Sequence, residues 1–209
     1  MIIPREYEQV YDDVCKQWEQ MTSLELEHDK YKKLFLYDVN NYLSVYENNK
    51  TKCKGRFDFQ DLALHKNKSF LIIPKAIYNY FINDIKPETY LASNTNIFDY
   101  CGGVKAKGNW YIEEHFVKDG QYTVNKLQKI VRYYISKDGV KLVKKNPDGR
   151  QIQVEAGKWL QTTFNVYEEK PFDRYNINLD YYLEQIYKEI NTIDTNMTRK
   201  YYQQSLFKF

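Results

Sequence analysis

Three cationic side chains alternate along one short segment of this sequence. Lys52, Lys54 and Arg56 are separated by Cys53 and Gly55. Because alternate residues of a β-strand point to the same side of a sheet, this spacing predicts a strand with one cationic face. Such a face can bind the phosphate backbone of a nucleic acid. Gly55 weakens a strand, so it indicates a bulge or a backbone held close to something large, such as a DNA strand.

The cationic segment is predicted to be the second strand of a β-hairpin. Strand-forming residues occupy 39–46, a polar turn follows at 47–50, and the return strand covers 51–59. The same pattern is typical of a solvated edge strand whose lysines deter aggregation. Both interpretations stay open on the pattern alone, and the edge strand is the commoner of the two.

A second group of basic residues alternates with aromatic residues farther along the chain. Such a mixture is typical of a surface that follows a nucleic-acid backbone, and it is equally typical of a solvated sheet whose tyrosines are core residues at one end. We take Lys126, Lys129 and Arg132 as second-rank candidates for contacts to DNA. The whole group is Lys126, Lys129, Arg132, Tyr133, Tyr134, Lys141, Lys144 and Lys145.

The elements that must position these residues form an α+β arrangement of two lobes. Residues 1–59 are predicted to be a small lobe in which an amphipathic helix over 5–20 packs on a sheet. The helix pattern is Tyr7, Val10, Tyr11, Val14, Trp18 and Met21. The sheet is predicted to contain the hairpin and two preceding strands at 24–27 and 33–37.

Residues 60–209 are predicted to form a second lobe with short helices and a β-meander. A polar connection covers 60–69, helices start at Pro74 and Pro87, and Gly102–Gly103 ends a third helix near 97–101. Strands are predicted at 110–117, 122–136, 140–144, 150–155 and 162–167, with hairpin turns at 137–139 and 146–149. A C-terminal helix with Tyr182, Ile186 and Ile190 on one face precedes a polar tail.

Composition limits the class of protein without selecting one. The chain has 209 residues, a net charge of +3 and three scattered cysteines. No apolar run approaches the ~18 residues that span a bilayer, so we expect no membrane association and a reducing, cytoplasmic compartment. The modest net charge does not demand a nucleic-acid partner, but the lysines cluster and give the surface a basic side.

Several segments resemble the C-terminal portion of phage-type family B DNA polymerases, where the palm passes into the thumb. The first is EHDKYKKLFLYDVNNYLSVYENNKTKCKGRFDF, in which Asn40-Asn41-Tyr42 lies at the place of a Lys-x-Tyr motif and Lys54-Gly55 at the place of a Lys-Gly motif. LALHKNKSFLIIPKAIYNYFINDIKPETYL, DYCGGVKAKGNWY and LQKIVRYYISKDGVKLVKK continue the resemblance, which extends from about Tyr7 to Ile193. The family's motif lysine is replaced by Asn40.

The resemblance implies a palm-like lobe followed by a thumb-like lobe that bind primer–template DNA in the cytoplasm of an infected bacterial cell. It places Tyr42 next to the primer terminus, and we assign Lys52, Lys54, Gly55 and Arg56 to the backbone near that terminus. The family holds two metal ions with an Asp-Thr-Asp turn, but here Asp194-Thr195-Asn196 lacks the second acid. We therefore expect no metal or other cofactor in this chain, and catalysis would need a separately encoded polymerase chain that holds the divalent metal.

Two functions from different classes follow. The first is a DNA-binding, non-catalytic part of a DNA-directed DNA polymerase that grips the primer–template duplex during replication. The alternative is a structural or protein-interaction component of a phage, without nucleic-acid chemistry, and the many tyrosines favour it. An independent enzyme finds little support, because the sequence has no nucleophile motif and no metal-ligand cluster.

Overall fold

A computed structural model describes residues 3, 5–59, 70–162 and 171–204, with the backbone alone described for residues 5 and 194–204. The predicted 60–69 connection, all but the first residue of the predicted strand at 162–167, and residues 205–209 lie outside the described residues. The described helices are α1 (Glu8–Thr22), α2 (Ile72–Asn83), α3 (Pro87–Ser93) and α4 (Leu179–Gln204). The described strands are β1 (Tyr31–Asp38), β2 (Asn41–Tyr46), β3 (Thr51–Lys54), β4 (Cys101–Lys105), β5 (Tyr111–Lys118), β6 (Gln121–Leu127), β7 (Ile130–Ser136), β8 (Lys141–Lys145), β9 (Gln151–Gln153) and β10 (Trp159–Thr162).

The predicted α+β class is confirmed, because helices and antiparallel sheets occur together in one chain. The chain forms two compact units. One unit contains Met1–Leu34 and Ser44–Lys52, and the other contains Phe35–Leu43 and Cys53–Phe209. These units divide the chain inside the strands of the hairpin, and the assignment of palm-like and thumb-like lobes at 1–59 and 60–209 stays a prediction. Among the described residues, no helix combines the length and the apolar character needed to cross a bilayer.

The predicted first helix is present, but its apolar stripe is exposed. The helix ends where Ser23 takes a left-handed conformation, φ 58°, and its N–H bonds to the Glu19 carbonyl. The stripe that we predicted to pack on a sheet lies in solvent in the structure. Its members, Tyr7, Val10, Val14, Trp18 and Met21, are 40–85% exposed. Cys15, which lies about 100° around the helix from Val14, is buried.

The hairpin is confirmed, but its second strand is shorter than predicted. The first sheet has the order β1-β2-β3, and Asn49 takes φ 63° in the turn that joins β2 to β3. The strand predicted over 51–59 ends at Lys54, and Gly55–Phe57 forms a 3-10 turn. Residues 24–27, also predicted to be a strand, have no regular structure.

The larger unit contains two further sheets, and their order corrects the predicted meander. One sheet has the order β10-β7-β4 and the other β6-β5-β8-β9. The stretch 122–136 was predicted as one strand, but it forms two strands that belong to different sheets. The turn at 137–139 therefore connects β7 to a strand of another sheet, whereas the turn at 146–149 joins the antiparallel neighbours β8 and β9. Residues 101–105, predicted to be a helix end and a turn, form β4.

The core of the larger unit lies between helices α2 and α4 and the sheet centred on β7. Tyr182 is fully buried, and its hydroxyl donates to the Tyr100 carbonyl (2.7 Å) and accepts from the Ile135 N–H (2.8 Å). Phe70 contacts Tyr182 edge to face, with ring centroids 5.3 Å apart. Aromatic edge contacts and these hydrogen bonds connect α4 to the sheet.

Candidate nucleic-acid interface

Gly55 contacts its own chain, which gives this glycine a structural role. Its φ is +65°, in the left-handed region that a side chain rarely adopts. A Cβ at this position would lie 2.9 Å from Cγ of Asn41 and closer still to the Asn40 carbonyl oxygen. The large neighbour that the sequence indicated is therefore the loop at 38–41. The predicted close approach of DNA to this glycine stays a prediction.

Arg56 is held by protein groups on several sides. Its Nη1 lies 2.6 Å from Oε2 of Glu189, and its guanidinium carbon lies 4.2 Å from the centre of the Tyr37 ring. Its backbone N–H donates to Oδ1 of Asn41 (2.8 Å). Partial burial lowers the pKa of Arg56, but the hydrogen bond and charge of Glu189 outweigh it and leave the pKa raised. A guanidinium engaged in this way has fewer donors to offer to a phosphate.

The spacing predicted that the three cations share one strand face, and the structure shows that this prediction is wrong. Lys52 and Lys54 lie on β3, whereas Arg56 lies in the 3-10 turn that follows. The Nζ of Lys52 is 3.6 Å from Asp29. Lys54 is exposed, and its Nζ lies 5.8 Å from the centre of the Tyr42 ring. Within the larger unit, the structure thus brings together Tyr42, which is half-buried, and Lys54, which is exposed.

The second group of candidates is divided between two sheets. Lys126 is exposed on β6, with its Nζ 4.5 Å from the centre of the Tyr111 ring. Lys129 follows the strand, and its Nζ donates to the carbonyl of Gly108 (2.7 Å). Arg132 lies on β7 and is half-buried. Tyr133 and Tyr134, which we had placed on the same surface, are buried, so for these two the core interpretation is the correct one.

One face of the four-stranded sheet combines exposed lysines with aromatic rings. The register pairs Glu113 with Lys126, and His115 with Lys141, so these side chains share one face. The opposite face contains Ile112 and Leu142, both fully buried. We call the first face, extended by Trp159 beside Lys141, the outer face. Its residues are Tyr111, Glu113, His115, Val117, Tyr122, Val124, Lys126, Lys141, Val143, Lys145, Gln151, Gln153 and Trp159.

The charge of the outer face is positive. Three lysines, Lys126, Lys141 and Lys145, stand against the single carboxylate of Glu113, which gives +2 with His115 neutral. The carboxylate itself is engaged, since it lies 3.2 Å from Nε2 of His115 and 3.9 Å from Nζ of Lys145. A positive, partly aromatic surface of this kind attracts a polyanion that also presents flat rings.

Two hydrogen bonds on the outer face orient an exposed tyrosine. Nδ1 of His115 pairs with the hydroxyl of Tyr122, and the other ring nitrogen faces Glu113. The rings of His115 and Tyr122 meet edge to face with centroids 5.8 Å apart. The Tyr122 side chain is therefore held by its hydroxyl while the residue stays 69% exposed.

Sequence reasoning did not find most of this face. Lys141 and Lys145 were recognised as part of a basic surface, but Tyr111, His115, Tyr122 and Trp159 were not. Trp159 belongs to another sheet, and its Lys141 neighbour is 18 positions away in the sequence. The available signal was the alternation of Tyr111, Glu113 and His115 on one predicted strand. This alternation predicts that the three side chains share a face, but the residues beside them on that face depend on the register of β6 and β8.

Comparisons of the chain with family models, with curated proteins and with solved structures gave no match. Among the described residues, no group of three or more His, Cys, Asp or Glu side chains could hold a metal ion. The lysines and rings of the outer face can make electrostatic and stacking contacts with a ligand.

Proposed function

We propose that this protein is a DNA-binding, non-catalytic part of a DNA polymerase of the family B type, which holds primer–template DNA for a separately encoded catalytic chain. The observation that supports DNA binding most is the positive outer face, where Lys126 lies beside the half-buried ring of Tyr111 and Lys141 beside the exposed ring of Trp159. The polymerase role rests on the resemblance of the hairpin and thumb segments, and the Tyr42–Lys54 pair lies at the motif positions that it assigns to the primer end.

Salt dependence tests DNA binding. The purified protein should bind a fluorescent primer–template duplex with little sequence preference, and its affinity should fall as salt rises. Each phosphate contact adds about −0.9 to the slope of log K against log salt. Replacement of Lys126, Lys141 and Lys145 by alanine should flatten the slope by about 2–3 units. No binding at low salt would overturn the proposal.

A matched control removes the same charge elsewhere. Lys16, Lys33 and Lys86 are exposed, and none belongs to the outer face or to the hairpin candidates. The triple alanine variant at these positions lowers the net charge equally, so a non-specific charge effect would change its slope as much. We expect the slope of this control to stay close to that of the parent.

Complementation tests the polymerase role. The isolated chain should not extend a primer with any divalent ion, because its sequence lacks the Asp-Thr-Asp turn with which the family holds two metals. Extension should appear when a separately encoded chain with an Asp-Thr-Asp turn is added. Metal-dependent incorporation by the isolated chain would contradict this part of the proposal.

The exposed stripe of α1 favours a second candidate function, a protein-interaction component of a phage. Five apolar residues on one face of a helix are unusual for a surface that contacts only water. The polymerase proposal also requires a protein partner, so the stripe alone does not separate the two candidates. Protein association together with a complete lack of DNA binding would favour the second.

A further inference from the structure

We infer that the outer face binds single-stranded DNA, with unpaired bases stacked on its aromatic rings and phosphates near its lysines. This inference deepens the proposed function and rests on it, because it names the form of DNA that this surface takes. A duplex keeps the faces of its bases inside the stack, so only an unpaired strand can use the rings. In a primer–template complex, such a strand is the template beyond the primer.

The rings of the outer face are accessible and lie close to cations. Tyr122 is 69% exposed and Trp159 is 44% exposed. The Nζ of Lys126 lies 4.5 Å from the centre of the Tyr111 ring, and that of Lys141 lies 5.1 Å from the centre of the Trp159 ring. A phosphate next to a stacked base would meet one of these ammonium groups. A bare phosphate-binding surface would need the lysines but would not need the rings.

The spacing of the rings suits a short segment of single-stranded DNA. Tyr122 pairs in register with Val117, six positions along β5 from Tyr111. At a rise of about 3.3 Å per residue, the two tyrosines lie roughly 20 Å apart along the strand direction. Lys141 and Trp159 lie between them, at the level of His115. A 20 Å span corresponds to about six nucleotides at the stacked rise of 3.4 Å.

The hydrogen bonds of Tyr122 prepare it for stacking. Because His115 pairs with the hydroxyl and Glu113 faces the other ring nitrogen, the tyrosine is positioned before a ligand arrives. A side chain that is already ordered loses less entropy when a base stacks on it.

An abasic oligonucleotide separates stacking from phosphate contact. We would measure the binding of labelled 12-nucleotide oligo-dT, of an abasic 12-mer with the same number of phosphates, and of a 12-base-pair duplex by fluorescence anisotropy at one salt concentration. Stacking by at least one base predicts that the abasic strand binds tenfold or more weakly than oligo-dT, since each stacked base contributes on the order of tenfold to a hundredfold. Equal binding of the two strands would overturn the inference and leave the proposed DNA binding intact.

Two exposed substitutions locate the effect. Tyr122→Leu and Trp159→Leu should each weaken oligo-dT binding about tenfold and leave binding of the abasic strand unchanged. Trp18→Leu, at an exposed tryptophan on α1, is the control and should change neither. If oligo-dT binds normally to both outer-face variants, the bases bind elsewhere and the inference is wrong. If no DNA binds to the parent protein in any form, the inference and the proposed function both fail.

Discussion

At the scale of single residues, the structure gives a structural role to two residues that the sequence assigned to DNA binding. Gly55 and Arg56 are adjacent and both were assigned to DNA. Gly55 adopts φ +65° against the Asn40–Asn41 loop, and Arg56 contacts Glu189 and Tyr37. Both residues therefore have structural roles that are sufficient to explain their identity, while the exposed Lys54 lies beside the Tyr42 ring.

The role of Gly55 predicts a specific loss of stability. Gly55→Ala should cost more than Gly108→Ala, because both glycines have a φ near +60° but a Cβ at Gly108 would meet nothing within 4 Å. The control should lose about 1–2 kcal/mol from the left-handed conformation alone. Gly55→Ala should lose a further ~1–3 kcal/mol from overpacking. Urea denaturation measures both, and equal losses would show that the 38–41 loop moves aside without cost.

Arg56 predicts a change in stability with little change in DNA binding. Arg56→Ala should cost about 1 kcal/mol, since the pair with Glu189 is partly exposed and the Tyr37 contact adds a comparable small amount. Arg56→Lys should recover only part of this loss, because lysine lacks the planar fork. We expect the salt slope of DNA binding to stay unchanged in both variants. A slope flatter by about 0.9 in Arg56→Ala would instead place a phosphate on this guanidinium.

At the scale of secondary-structure elements, α1 is the clearest case of an amphipathic helix whose apolar stripe is exposed. Helical spacing predicts its apolar stripe correctly, and the structure leaves that stripe exposed. The helix is instead connected to the segment that follows it. Tyr11 meets His28 edge to face at 5.5 Å, Oε1 of Glu19 accepts from the Leu26 N–H (2.7 Å), and Lys30 forms an ion pair with Glu8.

The exposure of the stripe predicts that it can be made polar without loss of folding. A variant with Val10, Val14 and Met21 changed to glutamine should stay within roughly 1 kcal/mol of the parent in free energy of unfolding, since exposed substitutions rarely cost more. Cys15, buried on the same helix, provides the comparison. Cys15→Asp should cost several kcal/mol because it buries a charge. A large loss in the triple variant would mean that the stripe belongs to the core.

At the scale of the whole molecule, the described core of the larger unit depends on tyrosines that are buried with their hydroxyls bonded. Tyr182 on α4 joins the Tyr100 carbonyl to the Ile135 N–H, two groups that lie 35 positions apart in the sequence. Burial raises the pKa of Tyr182 well above 10.0, and it also raises the pKa values of Tyr133 and Tyr134. These side chains are stable in the core only in the neutral form.

The two hydrogen bonds of Tyr182 predict a loss of stability when its hydroxyl is removed, and its raised pKa predicts a dependence of stability on pH. Tyr182→Phe leaves two buried backbone groups without this partner and should cost about 1–3 kcal/mol. Tyr187→Phe, which removes an exposed hydrogen bond to Glu88, should cost within ~1 kcal/mol.

The pH effect follows from the raised pKa, and thermal melts from pH 8 to pH 11.5 measure it. The contribution of neutral Tyr182 is fully present below the ordinary pKa of 10.0 and is lost as the pH rises above it toward the folded pKa. The alkaline loss of stability should be shallower in Tyr182→Phe than in Tyr187→Phe. Identical pH profiles would contradict a buried, neutral Tyr182.

The sequence by itself determined the elements whose signals are local. The amphipathic pattern of α1, the proline at the start of α3, the polar turn before β3 and the periodic C-terminal helix were all predicted, because each depends on residues a few positions apart. The α+β class followed from these elements.

The tertiary structure alone decided where the alternating segments lie. The sequence could not show that β6 and β7 belong to different sheets, because apolar and polar residues alternate in both segments. Such a period of two shows which side chains share a face, but it does not show which strand is the hydrogen-bonded neighbour. The core burial of Tyr133 and Tyr134, the contact of Arg56 with Glu189, and the outer face with Trp159 beside Lys141 all depend on residues brought together from distant parts of the chain. Pairing between distant strands is set by how the whole core packs, and no local pattern contains that information.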